Sequence, residues 1–163
     1  MLINYNNKRF TKNFKVWIKT CYEKAEEILK INNFNLEVNI AFVSPKKIKE
    51  LNLNFRNIDK VTDVLSFPQL DDIDINNLTK EKYPMDINME SGNIMLGDIY
   101  ICVKKVKSQS KEYQTTLQRE MCYMAIHGLL HLLGYDHIDD EDKKVMRLKE
   151  EEILESLNII RNK

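Results

Sequence analysis

A chain of 163 residues that is 43% hydrophobic and 31% charged, with few Gly and Pro, suits one globular domain around a single core; disordered and fibrous classes are excluded. The formal net charge is zero, but residues 1–60 carry 12 Lys+Arg against 6 Asp+Glu, residues 61–100 carry 2 against 8, and residues 101–163 carry 11 of each. The first third therefore has the local positive charge that a phosphate-rich partner needs, although lysines that only solvate helix faces give the same distribution.

In chain order, residues 10–31 place Phe14, Trp17, Ile18, Cys21, Ala25, Ile28 and Leu29 on a helical period, which predicts an amphipathic helix. LEVNIAFV (36–43) alternates like a strand, and Ser44-Pro45 then caps and opens a helix through about Phe55. TDVLSF (62–67) is short, apolar and β-prone. From Pro68 to about Asn93 the chain turns acidic and irregular, a long loop of the kind that is functional or mobile. NIMLGDIYICV (93–103) reads as another strand, and residues 112–133 as a largely apolar helix. A last helix, capped by Asp139 or Asp140, has Val145, Met146, Leu148, Ile153, Leu154 and Leu157 as its apolar side. Strands and helices mix without strict βαβ alternation, so the expected fold is α+β, a small mixed sheet packed by helices, in a single domain over 1–163.

Cys21, Cys102 and Cys122 are odd in number and form no C-x-x-C pair, which argues against a disulfide framework. The first residues lack the continuous apolar run of a secretory signal, and the most apolar stretch, YMAIHGLLHLLGY, is too short and interrupted to span a bilayer. The chain reads as soluble and cytoplasmic, with no membrane partner.

All three histidines fall within HGLLHLLGYDH, residues 127–137. His127 and His131, four apart on a helix, project from one face and can reach one metal ion. Gly134 can end the helix in the left-handed conformation and return the chain to deliver His137 from outside it. Three neutral nitrogen ligands with an open fourth position are the arrangement of a catalytic zinc site rather than a closed structural one. The expected geometry is a three-histidine metal site on a helix and the turn after it. Metzincin proteases share the spacing but carry H-E-x-x-H, with glutamate as the base; Gly128 stands there instead, which weakens a peptidase reading.

HGLLHLLGYDH, preceded by Arg119-Glu120 and followed by HIDDEDKKVM, resembles the signature of the YbeY family of bacterial metal-dependent endoribonucleases. Arg56 followed by TDVLSFP (62–68), and LGDIYI (96–101), agree in order and separation. Val61 stands where the family commonly has proline, and the loop between Pro68 and Leu96 looks longer than usual. The resemblance implies one zinc ion per chain on His127, His131 and His137 and a functional arginine at Arg56. It further implies single-strand-specific cleavage of RNA in maturation of the 16S ribosomal RNA 3′ end and in ribosome quality control, with the small ribosomal subunit and its assembly factors as partners. The alternatives are a zincin-like metallohydrolase of another substrate, and a non-catalytic ribosome-assembly factor with a structural metal. Asp63, Ser66 and Asp136 stay unassigned. Asp63, in a Thr-Asp pair at a strand start, reads as a turn or hydrogen-bonding anchor, and Asp136 as an orienting partner for a histidine or a cap.

Overall fold

The computed structural model describes residues 1–6, 12–136 and 139–160. The chain order is β1 (Leu2–Tyr5), α1 (Lys12–Ile28), β2 (Leu36–Phe42), α2 (Pro45–Arg56), β3 (Val64–Pro68), a single 3-10 turn (Pro84–Asp86), β4 (Ile94–Ile101), α3 (Val103–Glu112), α4 (Leu117–Leu132) and α5 (Asp140–Ser156). The four strands form one sheet in the order β1-β2-β4-β3. The pairs β1–β2 and β2–β4 are parallel, whereas β3 runs antiparallel to β4 at the edge. The expected mixed sheet packed by helices is present.

Alternation along the strands gives the sheet two unlike faces. Val38, Ile40, Phe42, Val64, Ile94, Ile99 and Ile101 join Phe14, Ile18, Tyr22, Ala25, Met121, Ala125 and Leu129 in the principal core, which α1 and α4 cover. The opposite face carries Asn4, Glu37, Asn39, Asp98, Tyr100, Leu65 and Phe67, by register. There a small second cluster of Ile48, Leu51, Leu65 and Cys102 seats α2. The rest of that face is polar: Asn4 donates to Glu37, Asn39 donates to Asp98 at 2.8 Å, and Glu37 also accepts from Asn88 and Ser91.

Several elements end where local chemistry dictates. The Ser44 hydroxyl accepts from the Lys47 amide at 3.2 Å, and Pro45 supplies the fixed φ of a first helical residue. Thr116 caps α4 through the Arg119 amide at 3.1 Å, and Asp139 caps α5 through that of Asp142 at 2.8 Å.

The structure corrects four expectations. The short strand β1 has no counterpart in the sequence reading; four residues, LINY, carry too brief an alternation to register. The strand expected to run to 103 stops at Ile101, and α3 follows; it has only Val103 and Val106 as buried apolar residues, so its period is faint. The helix expected from 112 begins at Leu117. On α5 the buried stripe is Met146, Glu150, Ile153 and Leu154, while Val145 and Leu148 (71% exposed) face solvent.

The acidic loop after β3 is anchored: Leu70, Leu78 and Tyr83 are buried, and the Tyr83 hydroxyl accepts from the Asp74 amide at 2.8 Å. All three cysteines are free and buried. A hydrogen bond with the neighbouring Cys21, and then burial, push the Cys122 thiol well above its ordinary value. Among the described residues no helix is long and apolar enough to cross a membrane.

Candidate metal centre and the surfaces around it

Nearly every residue of α4 from Met121 to Leu132 is buried, and the half-buried exceptions are Tyr123, His127 and His131. These stand four apart, so they form the one stripe of the helix that reaches outward. The Nε2 atoms of His127 and His131 lie 3.2 Å apart, with ring centroids at 4.6 Å and planes crossing at 82°. Two nitrogens bound to one tetrahedral zinc at about 2.0–2.1 Å each stand about 3.3 Å apart. The pair therefore has the separation and convergence of two ligands of one ion.

The other nitrogen of His127 explains its orientation. Nδ1 lies 2.7 Å from Oε1 of Glu150, which is only 2% exposed and comes from α5. An ionised carboxylate accepts only, so Nδ1 carries the proton and the Nε2 lone pair points outward. Burial, then the charge and hydrogen bond of Glu150, hold the Tyr123 hydroxyl well above its ordinary range, so it stays a donor.

Sequence reading missed Glu150. Its signal was an acidic residue at the i+4 place of an apolar stripe that also holds Met146, Ile153 and Leu154. A cavity of about 300 Å³ opens beside His127, lined by Tyr123, Lys143, Met146, Arg147 and Glu150.

Gly128 explains why no glutamate follows the first histidine. It turns into the sheet, where an added Cβ would lie 2.9 Å from Ile99 Cγ2 and 3.2 Å from Ser66 Oγ. A larger side chain there would clash with the strand rather than reach the site, which removes the peptidase base on steric grounds. Gly134 ends the helix as expected, with φ +85° after the cap residue Leu133. His137, expected as the third ligand, lies outside the described residues. Among the described residues no group of three metal-ligating side chains is present.

Arg56 occupies the last turn of α2, exposed, and makes no ion pair or hydrogen bond among the described residues. Its helix packs on the face of the sheet opposite α4. The two helices nevertheless meet across one strand. In β3, Ser66 lies under the Gly128 turn of α4, while the ring of the next residue, Phe67, meets Phe55 of α2 with centroids 4.9 Å apart. Because β3 is the edge strand, nothing in the sheet lies beyond it among the described residues. Asp63, just before β3, is an anchor as expected: it accepts from the amide of Val64 at 2.8 Å and from Gln109 Nε2 at 2.6 Å.

The family model described as Endoribonuclease YbeY matches residues 2–158. The chain belongs to the YbeY family. A curated member, Endoribonuclease YbeY from Clostridium botulinum strain 657, is 42% identical over 163 residues, covering 97% of each chain. A YbeY member from Clostridium tetani is 45% identical over 141 residues, covering 85% of this chain and 82% of its own. The solution structure of a Thermotoga maritima protein superposes with a TM-score of 0.58 at 29% identity, over 96% of this chain and 92% of that one. The YbeY likeness thus extends over sheet, histidine helix and α5 together.

Proposed function

We propose that this protein is an endoribonuclease of ribosomal RNA that works with one divalent ion, zinc, held by His127, His131 and His137. Membership of a family whose curated members are named Endoribonuclease YbeY supports the RNA-cleaving activity. The observation that carries the metal is the 3.2 Å approach of two Nε2 atoms, one of them turned outward by Glu150. Zinc held there supplies Lewis acidity towards a phosphoryl oxygen and an acidified water at neutral pH.

The chain's own residues do the rest. Glu150 keeps the His127 ring in one tautomer and one orientation. Lys143 and Arg147 place positive charge on the wall of the adjoining cavity. Arg56 grips two non-bridging oxygens of the scissile phosphate with its planar guanidinium, and this interaction strengthens as charge develops in the transition state. The edge position of β3 favours this assignment, since a strand of RNA passing around one β-strand meets both α2 and α4. The small ribosomal subunit and its assembly factors as partners, the 3′ end of 16S ribosomal RNA as the site of cutting, and a cytoplasmic location all rest on the family resemblance. The single-domain reading rests on one sheet and one principal core, with α3 and α5 packed on the helices that cover it.

Arg56→Ala should abolish cleavage of single-stranded RNA while metal content and the urea midpoint stay near wild type, and Arg56→Lys should restore only part of the rate. Wild-type turnover in Arg56→Ala makes the arginine a surface cation. Purified protein incubated with ribosomal RNA and with casein, with and without chelator, separates the readings. RNA cutting lost on chelation supports this proposal; peptide cutting, or no cutting of either, overturns it.

A further inference from the structure

Helix α2 buries Ile48, Leu51 and Asn52, and the same stripe continues, by helical spacing, to Phe55. Yet Phe55 is 66% exposed, flanked by exposed Leu53 and Ile58. Full burial of such a ring would stabilise the fold by about 1.5–3 kcal/mol, so its exposure contributes little to folding. The ring is nevertheless held. Phe67 meets it at 4.9 Å with planes at 64°, and Tyr100 supports Phe67 in turn at 5.7 Å and 81°. Three rings in edge-to-face contact thus run from the sheet outward to one presented aromatic side chain.

The charge along this helix is positive. Along α2, Lys46, Lys47, Lys49 and Arg56 face a single acid, Glu50. Lys47 pairs with Glu50 at 2.6 Å and Lys49 with Asp59 at 3.1 Å, whereas Lys46, Arg56 and Lys60 have no ion-pair partner among the described residues. An aromatic ring fixed from below, one residue from an unpaired arginine, combines the two elements that hold single-stranded nucleic acid: a stacking surface for a base and a cation for the phosphate. A protein partner would use the same apolar patch, but the unpaired cations favour a polyanion.

We infer that Phe55 is the stacking platform for a nucleobase of single-stranded RNA, with Phe67 and Tyr100 as its support and Arg56 on the adjoining phosphate. The inference rests on the RNA substrate proposed above and adds the residue that selects unpaired strands, because a base held in a duplex has no free face to stack.

The test is binding of a short single-stranded RNA carrying 2-aminopurine to the full chain, with chelator present so that the strand stays intact. Phe55→Ala should weaken binding about 5- to 150-fold and abolish the fluorescence quenching that stacking causes. Phe55→Trp should retain both, and Phe55→Leu, which keeps apolar bulk, should behave like the alanine variant. The slope of log affinity against log salt should be unchanged in Phe55→Ala but shallower by about 0.7 in Arg56→Ala. If wild type binds RNA here and cuts it when the chelator is left out, while Phe55→Ala and Phe55→Leu bind as tightly as wild type, the platform is overturned and the nuclease reading stands. If wild type binds no single-stranded RNA with the chelator or without it, both fall.

Discussion

Glu150 touches His127 at the nitrogen that faces away from the proposed ion, so its effect on the metal runs through the ring it orients. Glu150→Gln keeps an acceptor of the same shape but removes the charge that makes the imidazole a better donor. Metal affinity, read by competition with a chromophoric chelator, should fall about 10-fold, and Glu150→Ala should fall further, within the 10–100-fold range of such partners. Unchanged affinity in both would mean that the pair only packs α5 on α4. Gly128 tests the opposite face of the same turn. Alanine is worth about 1 kcal/mol over glycine inside a helix, but overpacking against a β-branched strand residue costs about 1–3 kcal/mol. With Ile99 Cγ2 only 2.9 Å from the added methyl, the clash should win. Gly128→Ala is expected to lower the urea midpoint, and a raised midpoint would show that α4 has room to shift. At this scale the convergence of His127 and His131 was legible because two side chains on one helix face leave a four-residue signature. Glu150 was hidden by its neighbours: Val145 and Leu148 offer a rival apolar stripe, and only the packed helix shows which one is buried.

Helix α4 carries His127 and His131, so its first turn bears on the proposed site. Thr116 accepts from the Arg119 amide, and Thr115 donates to Glu120 at 2.7 Å, tying the preceding loop to the helix start. Thr116→Ala should cost about 1 kcal/mol of stability in urea denaturation without altering metal affinity, since the cap lies more than two turns from His127; no loss would mean that burial alone sets the start of the helix. The elements with a clear hydrophobic period, α1, β2, α2 and β4, were legible within a few residues. Those that were not share a physical reason. In α3 the inward positions are filled by Gln109 and Ser110 as well as valines, and Gln109 is held by Asp63, just before β3. A face satisfied by a tertiary hydrogen bond leaves little trace in local hydrophobicity. The anchoring of the acidic loop was not legible because Leu70, Leu78 and Tyr83 are spaced without period.

Across the whole molecule the sheet separates two kinds of work. Its apolar face seats the histidine helix in the principal core, where a metal site gains rigidity. Its polar and aromatic face carries α2, with the arginine and the presented ring, over a smaller cluster. The edge strand β3 touches both helices, and the most specific non-histidine motif of the sequence, TDVLSFP, contains that strand. Its alternation has a direct use: Val64 and Ser66 face α4, while Leu65 and Phe67 face α2. The central claim is that RNA cutting depends on an ion held by the helix histidines. It is tested most directly by stripping the wild-type chain of metal, adding zinc back in steps, and measuring bound metal and single-stranded RNA cleavage on the same samples. Cleavage should rise in proportion to bound zinc and level off at one ion per chain, and His131→Ala should gain neither. Full cleavage by the metal-free chain, or undiminished zinc-dependent cleavage by His131→Ala, would contradict it.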